Sequence, residues 1–160
     1  MTETCRVLVV AATPALASRL EWYVRAAGHR PTVVTTFAAA KGSLERHPRP
    51  DLVISEIKLC EYNGLHVAVR GHAVGVPAIV VGERTFKREA EALEAIWLSP
   101  DSLDGEALPA AIAQLVVLPH SAHGTFPWYP GVVRPDVHTD EAGADVDPSD
   151  LTPAPPAILH

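Results

Sequence analysis

Short apolar runs alternate with longer amphipathic segments over most of this chain of 160 residues. The apolar runs are rich in Val, Ile and Leu, and they are bounded by turn residues, so we interpret them as strands buried on both faces. The five predicted strands are 6–10, 31–35, 52–57, 76–81 and 95–98.

The segments between these runs carry apolar residues at the spacing of an amphipathic helix. Thr13 as N-cap and Pro14 at the first helical position predict the start of the first helix, and Gly28 predicts its end. Asp104 is predicted to cap the last helix. That helix carries three apolar residues on one face, namely Leu108, Ile112 and Leu115. The helices predicted between the first and the last are 37–46, 64–70 and 87–94.

Strict alternation of strands and helices predicts a parallel sheet that is covered on both faces. The five β-α units match the flavodoxin-like, doubly wound arrangement, in which the strand order is 2-1-3-4-5. In this α/β fold, ligands bind at the carboxyl ends of the strands. We therefore look for functional residues directly after each strand.

The alternating pattern stops after Leu118. Eight of the chain's 15 prolines lie in the last 42 residues, which contain one basic and six acidic residues. A segment of this kind buries too little apolar surface to offset the entropy that it loses on ordering. We therefore predict a globular domain over residues 1–118 and an extended, Pro-rich acidic tail over residues 119–160, disordered when free or docked on a partner.

Composition limits the cellular compartments and the kinds of binding partner that can be expected for this chain. The formal net charge is −6, and an acidic chain argues against direct binding to nucleic acid, which requires clustered Lys and Arg. Two cysteines, Cys5 and Cys60, are too few for a disulfide framework and predict reduced thiols. The N-terminus has no basic leader and no apolar run is long enough to cross a membrane, so we expect a cytoplasmic protein without membrane insertion.

The stretch 50–59, PDLVISEIKL, followed by Asn63-Gly64-Leu65, resembles the third strand and the next loop of bacterial response-regulator receiver domains. The first strand, 7–10, and the pair Ser99-Pro100 after the fifth strand are similar to the same family. The resemblance covers residues 5–117. It implies the flavodoxin-like fold and, in working members, a magnesium-dependent phosphorylation site at the carboxyl edge of the sheet.

Every polar group that such a phosphorylation site needs is replaced in this chain. The resemblance puts the metal-binding acidic pair at Ala11 and Ala12, whose methyl groups cannot coordinate a hard cation. It puts the phosphate acceptor at Glu56, the hydroxyl at Gly82 and the lysine at Ser99. The chain is therefore similar to a degenerate, aspartate-less receiver, and we expect it to use no metal or other cofactor.

Glu56 is the charged residue that remains at this implied site. A permanent mimic of a phosphorylated aspartate is disfavoured, because the Lys and the Thr or Ser that would sense its charge are absent. We expect instead a partly solvated carboxylate that is bonded to Ser99 or to backbone amides.

The tail segment 124–131, GTFPWYPG, places Phe126, Trp128 and Tyr129 among prolines. Trp and Tyr are common interface anchors, and proline lowers the entropy that a peptide loses when it docks. We interpret the three aromatic residues as binding a protein partner or a second copy of the chain. Docking onto the chain's own domain is the alternative.

The sequence contains no complete catalytic constellation, so we do not expect an enzyme. A nucleophile elbow and a phosphate-binding glycine loop are missing, and the tail histidines His120 and His123 are weak evidence for a metal. We predict a non-catalytic, phosphorylation-independent protein–protein interaction module of a bacterial regulatory or structural assembly. The alternatives are a small-ligand sensor that uses the altered pocket and a transcription regulator that reaches DNA through a partner.

Overall fold

A computed structural model of the protein describes residues 4–117, which form a five-stranded parallel sheet with helices. The strand order is β2-β1-β3-β4-β5, which confirms the predicted flavodoxin-like, doubly wound arrangement. The strands are β1 (Arg6–Val10), β2 (Arg30–Val34), β3 (Leu52–Glu56), β4 (Ala78–Val81) and β5 (Ile96–Leu98). The helices are α1 (Pro14–Ala26), α2 (Phe37–Glu45), α3 (Leu65–Ala73), α4 (Lys87–Ala92) and α5 (Ala107–Val117). Two 3₁₀ turns precede α4 and α5, at Arg84–Phe86 and Pro100–Asp104.

The predicted tail, residues 119–160, lies outside the described residues. Its boundary after Leu118 therefore stays a prediction. The same holds for the residues to which the sequence assigns partner or metal contacts, namely His120, His123, Phe126, Trp128 and Tyr129.

The central strand β3 is buried along its whole length, because a strand lies on each side of it and helices cover both faces of the sheet. This position explains its nearly unbroken apolar sequence. Its last two residues, Ser55 and Glu56, are buried polar groups. By contrast, β2 lies at an edge and is only partly buried, and an edge strand tolerates Pro31 because one of its sides has no strand partner.

The helices form one layer on each face of the sheet. α1 and α5 cover one face, where Leu20 and Ile112 are buried among alternate residues of β1 and β3. α2, α3 and α4 cover the other face, where Leu44 and Val67 are buried. The three residues predicted on one face of α5 lie in the first layer, namely Leu108, Ile112 and Leu115.

The bounds of α1 agree with the prediction. The helix begins at Pro14 after Thr13, and Gly28 follows its end with a φ of +84°, a left-handed conformation that glycine adopts without strain. The side chain of Thr13, however, does not bond to the first turn of its own helix. It is therefore free to make a contact elsewhere.

Two helices differ from their predicted lengths. α3 extends to Ala73 rather than ending at residue 70, and α4 ends at Ala92 rather than at residue 94. Glu94 instead adopts a left-handed φ of 57° in the tight connection to β5. The longest helix, α1, has 13 residues. None of the helices within residues 4–117 is long and apolar enough to cross a membrane.

The prediction that Asp104 caps the last helix is wrong. Asp104 ends a 3₁₀ turn, and α5 begins only at Ala107. Its Oδ1 atom accepts hydrogen bonds from Tyr23 and Arg19 of α1, each at 2.8 Å. Asp104 therefore ties the turn before α5 to the neighbouring helix.

Candidate functional site

The candidate site is the carboxyl edge of the sheet, where β1, β3, β4 and β5 end side by side. The residues that the receiver resemblance implies for a phosphorylation site end or follow these four strands. The structure therefore brings all five of them to the same edge: Ala11, Ala12, Glu56, Gly82 and Ser99.

The carboxylate of Glu56 is bonded to Thr13 at the N-terminus of α1. The Thr13 hydroxyl donates to Oε1 at 2.6 Å, and the Thr13 backbone N–H donates to Oε2 at 3.0 Å. Glu56 is 8% exposed, so the prediction of a partly solvated carboxylate is wrong and the prediction of a bond to a backbone amide is confirmed. The two donors and the positive end of the α1 dipole stabilise the buried charge.

The predicted bond between Glu56 and Ser99 is absent from the described residues. The Ser99 hydroxyl caps the 3₁₀ turn that begins at Pro100, where it accepts from the backbone N–H of Asp101 at 3.4 Å. The Ser99 carbonyl accepts from the Ser102 hydroxyl at 2.7 Å. Ser99 therefore shapes the connection to α5.

Gly82 lies against the side chain of Ile57, the residue after Glu56. A Cβ atom added at Gly82 would lie 2.6 Å from the Cβ of Ile57, which is closer than two non-bonded carbon atoms can approach. Ile57 is 2% exposed and belongs to the core on the α2–α4 face. The space for a side chain at residue 82 is therefore occupied by Ile57.

The loop from β3 to α3 packs closely against the end of β3. The Gly64 backbone N–H donates to the carbonyl of Ile57 at 2.8 Å. A Cβ added at Gly64 would lie 2.7 Å from Ser55 Oγ, so only glycine fits this approach. Asn63 Oδ1 accepts from the backbone N–H of Leu65 at 2.9 Å and so starts α3.

The residues at the carboxyl edge do not fit a divalent cation. Mg²⁺ requires several oxygen ligands, and the methyl side chains of Ala11 and Ala12 supply none. Both carboxylate oxygens of Glu56 already accept hydrogen bonds from Thr13. Over the whole of residues 4–117, no group of three His, Cys, Asp or Glu residues is placed to hold a metal ion.

A lysine lies close to this edge, but its charge is compensated by another residue. Lys58 lies two residues after Glu56, the last residue of β3. It forms an ion pair with Glu83, the residue after Gly82. The hydrogen bond from Lys58 to Glu83 raises the pKa of Lys58. Its side chain is 72% exposed, so the pair lies at the surface.

Two shallow depressions lie beside the β3–α3 loop. The larger, of about 270 Å³, is lined by residues 57–63 and Phe86. The smaller, of about 60 Å³, is lined by residues 35–37 and 59–61. Cys60, an exposed free thiol, borders both.

Aromatic side chains form an exposed group next to these depressions. Phe37 of α2 lies 4.7 Å from Tyr62, measured between ring centroids, and the His66 ring packs edge-on against both. Tyr62 is 48% exposed. The group therefore presents an apolar surface to solvent beside α3.

Sequence reasoning missed two residues at the edge, Thr13 and Ile57. Thr13 carries a signal that could have found it: it lies one residue after the Ala11-Ala12 pair, on the loop that faces the end of β3. Ile57 carries no such signal, because its contact with Gly82 depends on how closely β3 and β4 approach each other.

No protein-family model matches the chain, and no curated protein matches it. Solved structures of receiver domains do match its fold. A response-regulator receiver protein from Sinorhizobium medicae is 22% identical with a TM-score of 0.63, over 71% of this chain and 95% of that one. The signal receiver domain of a modulated diguanylate cyclase from Desulfovibrio desulfuricans is 20% identical with a TM-score of 0.61, over 71% and 94%. A two-component response regulator from Clostridium difficile is 18% identical with a TM-score of 0.61, over 71% and 96%.

These matches define the fold of the described residues as that of a receiver domain. They agree with the strand order of the sheet. At such low identities a shared fold does not carry a shared activity, so function is argued from the site itself.

Proposed function

We propose that this chain is a receiver-like regulatory module that acts through protein–protein contact, without catalysis and independently of phosphorylation. One observation carries the proposal. Both oxygens of Glu56, the carboxylate at the implied phosphate-acceptor position, accept hydrogen bonds from Thr13 of the same chain. The acceptor position therefore serves a structural contact.

The chemistry of phosphoryl transfer supports this assignment. The reaction depends on cations that neutralise the charge of the phosphoryl group, supplied by a metal ion or by Lys and Arg. Ala11, Ala12, Gly82 and Ser99 carry no charge, and Glu56 is negative. A phosphoryl group at this edge would add negative charge next to a buried carboxylate, and the nearby Lys58 is already paired with Glu83.

The contact of Glu56 also argues against permanent mimicry of a phosphorylated state. A charge shifts a conformational equilibrium only if it interacts differently with the two conformations. The carboxylate bonds to the start of α1, whereas Ser99 bonds within its own turn. Neither contact joins Glu56 to β5. The Glu56 carboxylate therefore stabilises a single conformation of the carboxyl edge.

We further propose that the tail binds the partner through Phe126, Trp128 and Tyr129. The cluster of aromatic residues among prolines supports this role, because large rigid side chains bury much apolar surface for little lost entropy. In this proposal the receiver-like domain, residues 1–118, is the rigid body of a cytoplasmic bacterial assembly subunit.

Affinity purification from the native organism tests the proposal. Three baits are compared: the full chain, a chain that ends at Leu118, and the full chain with Trp128→Ala. We expect one stable partner that the full chain retains and both variants lose. A matched control, Ile158→Ala, changes an apolar residue outside the aromatic segment and should retain the partner.

Two other results would overturn parts of the proposal. If all three baits retain the same partner, the tail is not the docking element and the domain is. If no bait retains a stable partner, protein–protein contact itself is not the function of this chain.

A small-ligand sensor is the alternative, and its site would lie beside the β3–α3 loop and not among the five implied residues. Ile57 fills the space at Gly82, and Thr13 takes both oxygens of Glu56. A ligand would instead occupy the larger depression beside the β3–α3 loop. Thermal stabilisation by a metabolite, lost in Tyr62→Ala, would favour this alternative.

A further inference from the structure

The edge of the sheet opposite to Glu56 carries a cluster of basic residues. Arg6 and Arg30 begin β1 and β2 and are neighbours in the strand register. Residues 46–50 connect α2 to β3 at this same edge, because the helices run antiparallel to the strands that they connect. We use the name basic edge for six residues: Arg6, Arg30, Lys41, Arg46, Arg49 and Arg70.

Acidic neighbours compensate part of this charge. Arg6 pairs with Asp51 at 3.1 Å, and Arg70 pairs with Glu45. The hydrogen bond from Arg70, and then the charge of Lys41, lower the pKa of Glu45. The basic edge has four further cations, namely Arg30, Lys41, Arg46 and Arg49. None of these four forms an ion pair with a residue between 4 and 117.

Two buried nitrogen atoms of the basic edge lack a hydrogen-bond acceptor. They are the Nε atoms of Arg49 and Arg70. In the described part of the chain, no other buried side-chain nitrogen or oxygen atom lacks a hydrogen-bond partner. A buried donor normally has an acceptor, because leaving one without it is unfavourable. These Nε atoms are covered by the chain itself, so another molecule cannot reach them. The side chains that carry them are otherwise partly exposed, that of Arg70 to 42%, and only their exposed terminal nitrogens can contact a partner.

Carboxylates are the acceptors that fit this surface. The guanidinium group donates parallel hydrogen bonds to both oxygens of a carboxylate. Val69, the residue before Arg70 on α3, is 47% exposed and provides apolar surface on the same helix. Nucleic acid fits less well, because its binders neutralise many phosphates along the backbone, whereas only four cations of this edge are without an ion pair among residues 4–117.

We infer that the basic edge binds an acidic segment of a partner protein. Carboxylates of that segment accept hydrogen bonds from Arg46, Arg49 and Arg70, and an apolar side chain contacts Val69. The inference rests on the proposed function, since both assume protein–protein contact. It uses the domain and does not depend on the aromatic residues of the tail.

Fluorescence anisotropy with the full chain tests the inference. The probe is a labelled peptide of about ten residues that contains Glu and one Leu. We expect binding that weakens about tenfold or more when salt rises from about 50 mM to about 300 mM, because exposed charges are screened. The double variant Arg46→Glu/Arg49→Glu should bind at least about fivefold more weakly, since each reversal places like charges together.

The matched control is Arg84→Glu/Arg88→Glu, which makes the same charge change near α4 and should bind the peptide like the parent chain. If the Arg49 variant does not fold, Arg30→Glu/Arg46→Glu replaces it, because both of these residues are exposed. Equal binding by the parent and the basic-edge variants would overturn the inference. Tighter binding of a DNA duplex or of vesicles with phosphatidylserine than of the peptide would also overturn it.

Two further chains separate this inference from the proposed function. Trp128→Ala should bind the peptide as the parent does, even if it loses the native partner. A chain that ends at Leu118 should do the same. Loss of peptide binding in that chain would assign the binding to residues after 118 and contradict a site on the domain.

Discussion

A single methylene group sets the contacts of the residue at the end of β3. Glu56 is longer by one methylene than the aspartate that the receiver resemblance implies at this position. Its carboxylate reaches the hydroxyl and the backbone N–H of Thr13, whereas an aspartate at the same position would fall short by about 1.5 Å. The longer side chain therefore joins β3 to the start of α1.

Shortening this side chain should destabilise the domain. Glu56→Asp is expected to lower the free energy of unfolding by roughly 1–3 kcal/mol, because hydrogen bonds to buried charged groups contribute about that much. Glu56→Gln keeps the length and one acceptor and should lower it less. Urea unfolding followed by circular dichroism measures both.

A double-mutant cycle with Thr13→Val assigns the loss to this contact. The combined variant Thr13→Val/Glu56→Asp should be less destabilised than the sum of the two single variants, since they remove the same interaction. Simple additivity would show that Glu56 acts through other groups.

Replacing either of two glycines with alanine should change the free energy of unfolding, but in opposite directions. Gly82→Ala places a Cβ against Ile57 and should lower the free energy of unfolding by about 1–3 kcal/mol, as overpacking does. A Cβ added at Gly42, in α2, would have no atom within 4 Å outside the backbone of its own helix, so Gly42→Ala should raise the free energy of unfolding by roughly 0.5–1 kcal/mol, because alanine favours the helix. Thermal or urea unfolding compares them directly, and a neutral Gly82→Ala would contradict the close approach of Ile57.

The place of each edge residue could be predicted from the sequence, but its contacts could not. Glu56 and Ser99 follow recognisable strands, so their common edge follows from the strand order. No hydrogen bond joins them in the structure: the Ser99 hydroxyl lies in the turn before α5, where it accepts from the backbone N–H of Asp101, and the β1–α1 loop brings Thr13 to Glu56. Such choices depend on loop geometry, which residue spacing does not determine.

The connection between α1 and the turn before α5 should depend on pH. The hydroxyl of Tyr23 and the guanidinium of Arg19 hold the pKa of Asp104 below its ordinary value. The stability that this carboxylate contributes is therefore present above its unfolded pKa and is lost as the pH falls through its folded pKa. At the basic end, the bond to Asp104 raises the pKa of Tyr23, so that contribution is lost as the pH rises through the raised value.

Urea unfolding between about pH 7 and pH 3 measures the acidic limb of this dependence. The parent chain should lose more stability over this range than Asp104→Asn, which cannot titrate. Asp101→Asn is the matched control, because Asp101 lies in the same turn without these partners, and it should follow the parent. An Asp104→Asn curve parallel to the parent would show that other carboxylates cause the loss.

Elements with strong apolar patterns could be predicted, and irregular ones could not. The runs of Val, Ile and Leu located all five strands to within about two residues. The segment 82–106 was predicted less well, because two 3₁₀ turns divide it and Asp104 resembles an N-cap in sequence. Its side chain bonds to α1, a contact between residues more than 80 positions apart in the chain.

Treatment with acetyl phosphate and Mg²⁺ should leave the whole molecule unchanged. The residues at the implied phosphorylation site offer no cation, both oxygens of Glu56 already accept hydrogen bonds, and the nearby Lys58 is paired with Glu83, so intact-mass spectrometry should detect no phosphoryl adduct. Beryllofluoride, which mimics a phosphoryl group, should likewise leave the backbone amide NMR spectrum unchanged.

A conventional receiver domain treated in parallel is the positive control for this experiment. A phosphoryl adduct on Glu56, or shifts of amides along β5, would contradict a phosphorylation-independent function. The same treatment of Glu56→Asp tests whether the shorter residue alone restores the reaction, and we expect that it does not.

At the scale of the whole molecule, the sequence predicted the fold but not the basic edge. The strand order follows from five regular β-α units, which constrain the topology strongly. The basic residues are scattered between positions 6 and 70, and summing charge along the chain averages them with acidic residues. Only the parallel sheet collects the starts of β1, β2 and β3 at one edge.

The Thr13–Glu56 contact also limits the paths by which this chain can change under selection. A single substitution to aspartate at residue 56 removes two hydrogen bonds, while Ala11, Ala12 and Ser99 still provide neither metal ligands nor a lysine. Residue 82 cannot carry a hydroxyl side chain unless Ile57 also changes. A substitution at residue 56 or 82 alone is therefore expected to lose stability without creating a phosphorylation site, so selection that acts on one residue at a time would retain Glu56.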